Sequence, residues 1–302
     1  MQANTYHIPV MLNECLEGMA IQPAGVYVDV TFGGGGHSRA ILERLGPEGR
    51  LFGFDQDPDA LNNAIDDPRF TLIHQNFQFL KNNLRLHGVK AVDGILADLG
   101  VSSHQFDDAG RGFSIRFDSK LDMRMDQSRE LDAAEVLNKY SEDELHRIFG
   151  MYGELRNART LAKTIVIGRV QAPIETVEQL KKMIEHLIPR QKVNKYLAQL
   201  FQAIRIEVNR EMEALKELLS QSVDVLKPEG RLVVMSYHSL EDRLVKNFMA
   251  KGKFSGEVDK DFYGNEIKPF TVITRKSIEA TADEIALNGR ARSAKLRIAE
   301  RI

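Results

Sequence analysis

One thirteen-residue stretch, Val26-Tyr-Val-Asp-Val-Thr-Phe-Gly-Gly-Gly-Gly-His-Ser38, sets the terms for the rest of the chain. Residues 26–30 form a largely apolar run rich in β-branched residues, which predicts a buried strand. The four glycines at 33–36 let the backbone turn sharply and come close to a ligand. Residues 38–45, Ser-Arg-Ala-Ile-Leu-Glu-Arg-Leu, read as a short helix closed by Gly46. A strand, a glycine loop and a helix N-terminus in succession form a cradle for a cofactor.

The same rhythm continues downstream. Further strands are expected at 50–55, 70–77 and 91–98, with helices at 59–65 and 79–87 between them. Strands alternating with helices at this spacing predict an α/β fold with a parallel, doubly wound sheet and ligands at the carboxyl ends of its strands. After Asp98 the rhythm breaks. Residues 99–126 read as a long loop rich in glycine, serine and charge, a length that is usually functional or disordered. The pattern is helical from 132 to 214, with helices expected at 133–138, 142–152, 156–169, 177–188 and 195–219. It returns to α/β with a turn at 227–230, a strand at 231–236, a helix through Met249, a loop at 251–269, and closing strands at 270–274 and 294–298. The expectation is a discontinuous α/β domain, 1–106 and 213–302, carrying an inserted loop and helical domain, 107–212.

The 302 residues are 43% hydrophobic and 28% charged, ordinary for a chain with a real core. No apolar run approaches a membrane span. The first residues lack a basic stretch and Glu14 interrupts the apolar segment, so no secretory signal is expected. Cys15 is the sole cysteine. It excludes an internal disulfide framework and a cysteine-rich zinc site, and predicts a reducing, cytoplasmic setting with the thiol facing the core. Net charge is −2, which argues against a generic nucleic-acid coat protein, but it is unevenly spread. Residues 156–210 hold eleven Lys/Arg against four Glu, and residues 290–302 hold five against one. A basic middle on an acidic body suggests a surface for a polyanion, with solvated helix faces as the alternative.

The glycine loop narrows the cofactor. A nucleoside-triphosphate loop needs Gly-Lys-Ser/Thr at the helix start, and here Gly36-His37-Ser38 offers no lysine. A dinucleotide loop spaces its glycines as Gly-x-Gly-x-x-Gly. Four adjacent glycines do not fit that spacing, and His37 crowds the pyrophosphate position. Asp55, ending the second strand, suits ribose hydroxyls in either case. Asp29, just ahead of the loop, suits a cofactor with a positive amino-acid group and no phosphate, as in S-adenosylmethionine; hydrogen bonding to loop amides is compatible with that role.

Several motifs together resemble the bacterial MraW/RsmH family, which methylates N4 of a cytidine in the decoding region of 16S ribosomal RNA. They are His7-Ile-Pro-Val10, Asp29-Val-Thr-Phe-Gly-Gly-Gly-Gly-His-Ser38, Asp55-Gln-Asp-Pro58 and Asp98-Leu-Gly-Val-Ser-Ser-His-Gln105. Arg111-Gly-Phe-Ser114, Leu121-Asp-Met-Arg-Met-Asp126 and Phe201-Gln-Ala-Ile-Arg-Ile-Glu-Val-Asn209 follow. Ser236-Tyr-His-Ser-Leu-Glu-Asp-Arg243 and Arg290-Ala-Arg-Ser-Ala-Lys-Leu-Arg297 complete the set. The resemblance runs nearly end to end, departing at His104, Leu155 and Gly289. It implies a Rossmann-like class I S-adenosylmethionine-dependent methyltransferase sheet. It also implies cofactor contacts at Gly35, Gly36, His37, Asp55 (ribose), Phe77 (adenine), Asp98 and Gln105, with no metal. The implied partner is 16S ribosomal RNA within the small ribosomal subunit, with no membrane, for a monomer or homodimer.

A sulfonium methyl is already activated, so transfer to an exocyclic amine mainly needs positioning. Cytosine N4 is a poor nucleophile because its lone pair is delocalised, and an acceptor beside it favours the developing charge. Asp98, Ser102 and Ser103 are candidates for that role. His238 and Glu241 are expected to line the base pocket or to cap the next helix. Residues 122–126 would clamp RNA or brace their own loop, and the basic insertion would track phosphates of unpaired RNA. Two other classes remain as alternatives: a nicotinamide oxidoreductase, disfavoured by the glycine spacing, and a non-catalytic RNA-binding factor.

Overall fold

The computed structural model describes residues 9–302, so His7 and Ile8 of the first motif lie outside the described residues. The chain divides into two compact units: residues up to Gly100 together with Met212–Ile302, and Val101–Glu211. The first cut falls ahead of the expected 106/107 junction because a new capped helix, Ser103–Asp107, begins soon after β4 ends at Asp98.

The first unit holds β1 (Val26–Asp29), β2 (Arg50–Asp55), β3 (Phe70–His74), β4 (Val92–Asp98), β5 (Leu226–Ser236), β6 (Asp259–Lys260), β7 (Glu266–Ile267), β8 (Phe270–Val272), β9 (Ile278–Glu279) and β10 (Lys295–Arg301). The main sheet runs β3-β2-β1-β4-β5-β10-β8, with β9 also pairing to β10. The first five strands in that order are parallel, whereas β10 is antiparallel to both β5 and β8. This is the Rossmann-like sheet. It is buried on both faces, as parallel sheets are. Alternate residues serve each side: Val28, Phe52, Ile95 and Val234 pack with one core, and Tyr27, Leu51, Leu96 and Met235 with the other. Cys15, in the helix Leu12–Gly18, is a free thiol buried in the second core, and burial raises its pKa.

Several boundaries differ from the sequence expectation for local reasons. The strand expected at 70–77 stops at His74 because Asn76 caps a 3-10 turn, accepting Gln78 N–H at 2.8 Å. The helix expected at 59–65 is a 3-10 segment, Pro58–Asn63, capped by Asp57. The turn at 227–230 lies within β5 as a bulge, with the register stepping from Val92/Leu226 to Gly94/Arg231. The loop at 251–269 contains the β6–β7 hairpin.

In the second unit the helices after Ser103–Asp107 are Ala133–Lys139, Glu142–Met151, Ala158–Gln171, Val177–Ile184 and Val193–Asn209. Capping boxes at Ser141/Glu144 and Thr176/Gln179 start two of them. Leu145, Phe149, Leu161, Ile165, Leu180 and Leu200 are fully buried. Leu155, one of the departures from the family pattern, is buried as well. The single helix expected at 195–219 is two: Arg210 adopts a left-handed conformation (φ 53°) and separates Val193–Asn209 from Glu211–Val225. The stretch at 99–126 is ordered by its own polar groups and by Asn209 of the helix Val193–Asn209. Asn209 accepts Met125 N–H at 2.8 Å and donates to the Met123 carbonyl at 2.7 Å. Buried Arg111 donates to the carbonyls of Arg124 and Met125. Arg124 forks onto Asp122 and also donates to the carbonyls of Gln127 and Arg129. Of the two roles expected for residues 122–126, these bonds supply the bracing one.

Candidate active site

The winding of the sheet reverses between β1 and β4, which leaves a crevice at the carboxyl ends of the strands on either side. The glycine loop borders it. Gly35 caps the helix Gly36–Arg44 from a left-handed conformation, φ 74°, that a side chain would strain. Gly36 is glycine for packing: a Cβ there would stand 2.4 Å from Cγ of Pro9.

Three carboxyl groups stand at neighbouring strand ends. Asp55, closing β2, accepts Gly33 N–H on Oδ2 at 2.8 Å and Asp57 N–H on Oδ1 at 2.9 Å. Each carboxylate oxygen can accept a second bond, so the amides orient Asp55 without exhausting it. Burial pushes its pKa up to about 6, against the pull of those two amides. Asp29, closing β1, is 1% exposed. Its Oδ2 accepts the Ser38 hydroxyl at 2.7 Å and its Oδ1 accepts Thr31 N–H at 3.1 Å. Asp29 therefore ties the loop to its helix. These are the loop bonds expected of it from sequence. Burial raises its pKa too.

Asp98, closing β4, has 24% of its side chain exposed, against the enclosed Asp29. Its backbone N–H donates to Thr31 Oγ1 at 2.7 Å, and its Oδ1 accepts the Tyr237 hydroxyl at 2.7 Å. Oδ2 lies 4.0 Å from His37 Nδ1. Burial pushes Asp98 up to about 6; His37 and the Tyr237 hydrogen bond pull down, and Asp29 and Glu241 push up. His37 is buried in the first turn of its helix, where Nε2–H donates to the Val10 carbonyl at 3.2 Å. It faces Val10 and Asp98, and so anchors the helix start. Phe77 is half-buried just beyond β3, packed on the edge of a core cluster.

His238 is the N-cap of the helix Ser239–Lys251. Its Nδ1 accepts Glu241 N–H at 3.4 Å, while Glu241 Oε2 accepts Tyr237 N–H at 2.9 Å. The His238 side chain is 8% exposed; Nδ1 serves this cap, while buried Nε2 lies 3.2 Å from Glu241 Oε1 without a hydrogen-bond partner among the described residues. In the second unit, Ser102 caps the helix Ser103–Asp107, its hydroxyl accepting Gln105 N–H at 3.2 Å. Gln105 Oε1 in turn accepts Ser102 N–H at 3.0 Å. The first unit thus brings together the glycine loop, His37, Asp55 and Asp98, with Phe77 beyond the end of β3. Ser102, Ser103 and Gln105 belong to the other unit. Tyr237 is the site residue that sequence reasoning missed. Its one signal was its place directly after a buried strand.

A sequence model described as the MraW methylase family matches residues 4–302. The chain belongs to that family. It is 60% identical over 297 residues to a protein of Flavobacterium johnsoniae named ribosomal RNA small subunit methyltransferase H, covering 98% of each chain. A Cytophaga hutchinsonii protein of the same name is 58% identical, over 98% of this chain and 99% of its own. One from Bacteroides fragilis is 56% identical, over 99% of both. The methylase is an S-adenosylmethionine-dependent enzyme with a class I sheet. Its site suits that cofactor. Buried acids whose ionisation is disfavoured are relieved by a ligand bearing positive charge and hydroxyl donors, and a phosphate would aggravate them. No helix among the described residues is long and apolar enough to cross a membrane.

Proposed function

We propose that this methylase transfers a methyl group to N4 of a cytidine in the decoding region of 16S ribosomal RNA within the small subunit, in the cytoplasm. Its relatives' names give the substrate class, and Asp98 carries the chemical reading. It is a partly accessible carboxylate at the end of β4, oriented by Tyr237 and set beside the glycine loop. Bound S-adenosylmethionine supplies an activated methyl on a sulfonium. Asp55 would accept the ribose hydroxyls, Phe77 would pack on the adenine, and Gly35, Gly36 and His37 would form the floor beneath the methionine end. Asp98 would accept a hydrogen bond from the exocyclic amine, draw its lone pair out of the ring and take up the proton released as the N–C bond forms and the sulfonium S–C bond breaks, with S-adenosylhomocysteine as the leaving group. Ser102, Ser103 and Gln105 stand as further candidates from the second unit.

Residues 107–212 would recognise the RNA. Arg156, Arg159, Lys163, Arg190, Lys192 and Lys195 are exposed there and unpaired with any carboxylate among the described residues. Such a surface suits phosphates. The deciding experiment incubates the protein with labelled cofactor and small subunits that lack the modification, then digests the RNA to nucleosides. N4-methylcytidine in the subunit sample is the expected result. Cofactor binding without that nucleoside would refute the enzymatic reading in favour of a binding factor.

A further inference from the structure

The first unit has a second concave site that methyl transfer does not use. A cavity of about 490 Å³ is lined by Lys246, Arg275, Lys276, Ser277, Glu279 and Arg297. Its cations come from separate segments: Lys246 from the helix Ser239–Lys251, Arg275 and Lys276 from the turn between β8 and β9, and Arg297 from β10. Arg297 belongs to the basic stretch 290–302 singled out by sequence.

Arg297 is 8% exposed and held as a fork: Nε donates to Asp242 Oδ1 at 2.7 Å, and Nη2 to Oδ2 at 3.1 Å. That pairing fixes the guanidinium plane, and Nη1 bonds no protein atom among the described residues. Lys246, Arg275 and Lys276 are exposed and pair with no carboxylate among the described residues. Glu279 is the one acid in the lining, and Lys295 stands directly across the β9–β10 ladder from it. The pocket is therefore net positive, with an immobilised guanidinium, flexible cations around it and a serine hydroxyl. Planar guanidinium donors with lysines beside them match the oxygens of a phosphate group.

Position narrows the source of the phosphate. Arg297 pairs with Val234 and Asp98 with Met235, so both lie at the carboxyl end of β5. Their backbones are two strand spacings apart, roughly 10 Å, with the two side chains turned to opposite faces of the sheet at its carboxyl edge. We propose that this pocket holds a backbone phosphate of the RNA substrate where the strand passes the carboxyl edge of the sheet near the modified base. The proposal rests on the RNA-methylating function argued above. It extends the RNA footprint to the sheet-bearing unit.

The test is a titration of the full chain with a decoding-region RNA fragment over a series of salt concentrations. Wild type is compared with the neutral variant Lys246→Gln/Arg275→Gln/Lys276→Gln and the charge-retaining variant Lys246→Arg/Lys276→Arg. The neutral variant should bind RNA about tenfold more weakly at low salt. Its log–log salt slope should shrink by about 0.7 to 1, the loss of one phosphate contact. The charge-retaining variant should keep the wild-type slope, and S-adenosylmethionine affinity should be the same in all three. A neutral variant with wild-type slope and affinity overturns the proposal. So does wild-type binding of inorganic phosphate, or of a polyglutamate peptide, that the neutral variant loses while its RNA binding is intact. Failure of wild type to form N4-methylcytidine would instead sink the function reading, which the salt slopes do not measure.

Discussion

Tyr237 donates its hydroxyl to Oδ1 of Asp98 across 2.7 Å, joining the residue after β5 to the last residue of β4. The bond favours the ionised carboxylate, offsetting part of the burial that raises its pKa. Tyr237→Phe should therefore move the acid limb of the pH–rate profile upward and lower turnover at neutral pH by about tenfold, the low end for a hydrogen bond to a charged group. An unshifted acid limb would show that the tyrosine only packs. Asp98→Ala should abolish transfer, and wild-type turnover in that variant would refute its placement.

Asp55 and Asp98 both have pKa values of about 6, above the ordinary 3.8. The folded protein thus holds their protons more tightly than the unfolded chain. Their contribution to stability is greatest below about pH 4 and is lost as pH rises through 6. A cationic cofactor reverses the preference, since it needs both groups ionised. S-adenosylmethionine affinity should fall as pH drops through 6, and the melting-temperature gain on adding cofactor should shrink from pH 7 to pH 5. Calorimetric titration and thermal melts across that range would check both, and a cofactor affinity flat from pH 7 to pH 5 would contradict the assignment.

Asp55→Ala removes both the acceptor proposed for the ribose and the partner of Gly33 N–H. We expect cofactor affinity to fall about 10- to 100-fold, with RNA affinity unchanged. Equal losses for both ligands would point to a collapsed sheet end instead.

Lys192→Glu/Lys195→Glu places two negative charges on the exposed basic surface of the second unit. RNA affinity should fall and its salt dependence flatten, with cofactor binding intact. Unchanged RNA affinity would leave those lysines as ordinary solvated side chains.

Gly36→Ala puts a methyl group 2.4 Å from Pro9 Cγ. Overpacking of this kind costs about 1–3 kcal/mol, and denaturant unfolding should register it. A variant as stable as wild type would mean that the residues around Pro9 give way freely.

Much of this protein was legible in the sequence because the signals were local. The β-branched run at 26–30, the glycines at 33–36 and the acids at or near the ends of three expected strands are short-range patterns, and periodicity alone separated sheet from insertion. The breaks were less visible. Arg210 enters a left-handed conformation inside an unbroken apolar repeat, and Asn76 ends a strand by capping a turn. Both depend on single polar or backbone choices that periodicity does not register.

The roles of individual polar residues were decided by the tertiary structure. Asp29 and Asp98 are both acids at the ends of buried strands, alike in sequence. Thr31 and Ser38 enclose the first, whereas the second remains a quarter exposed and receives Tyr237 from 139 residues away. His238 could line a pocket or cap a helix on sequence grounds, and the position of Glu241 engages its Nδ1 in the cap while Nε2 stays without a hydrogen bond among the described residues. Arg297 looked like one charge in a basic tail until β10 packed it against Asp242 at the edge of a pocket. A residue's type states which bonds it can make, but burial and long-range neighbours determine which of them it makes.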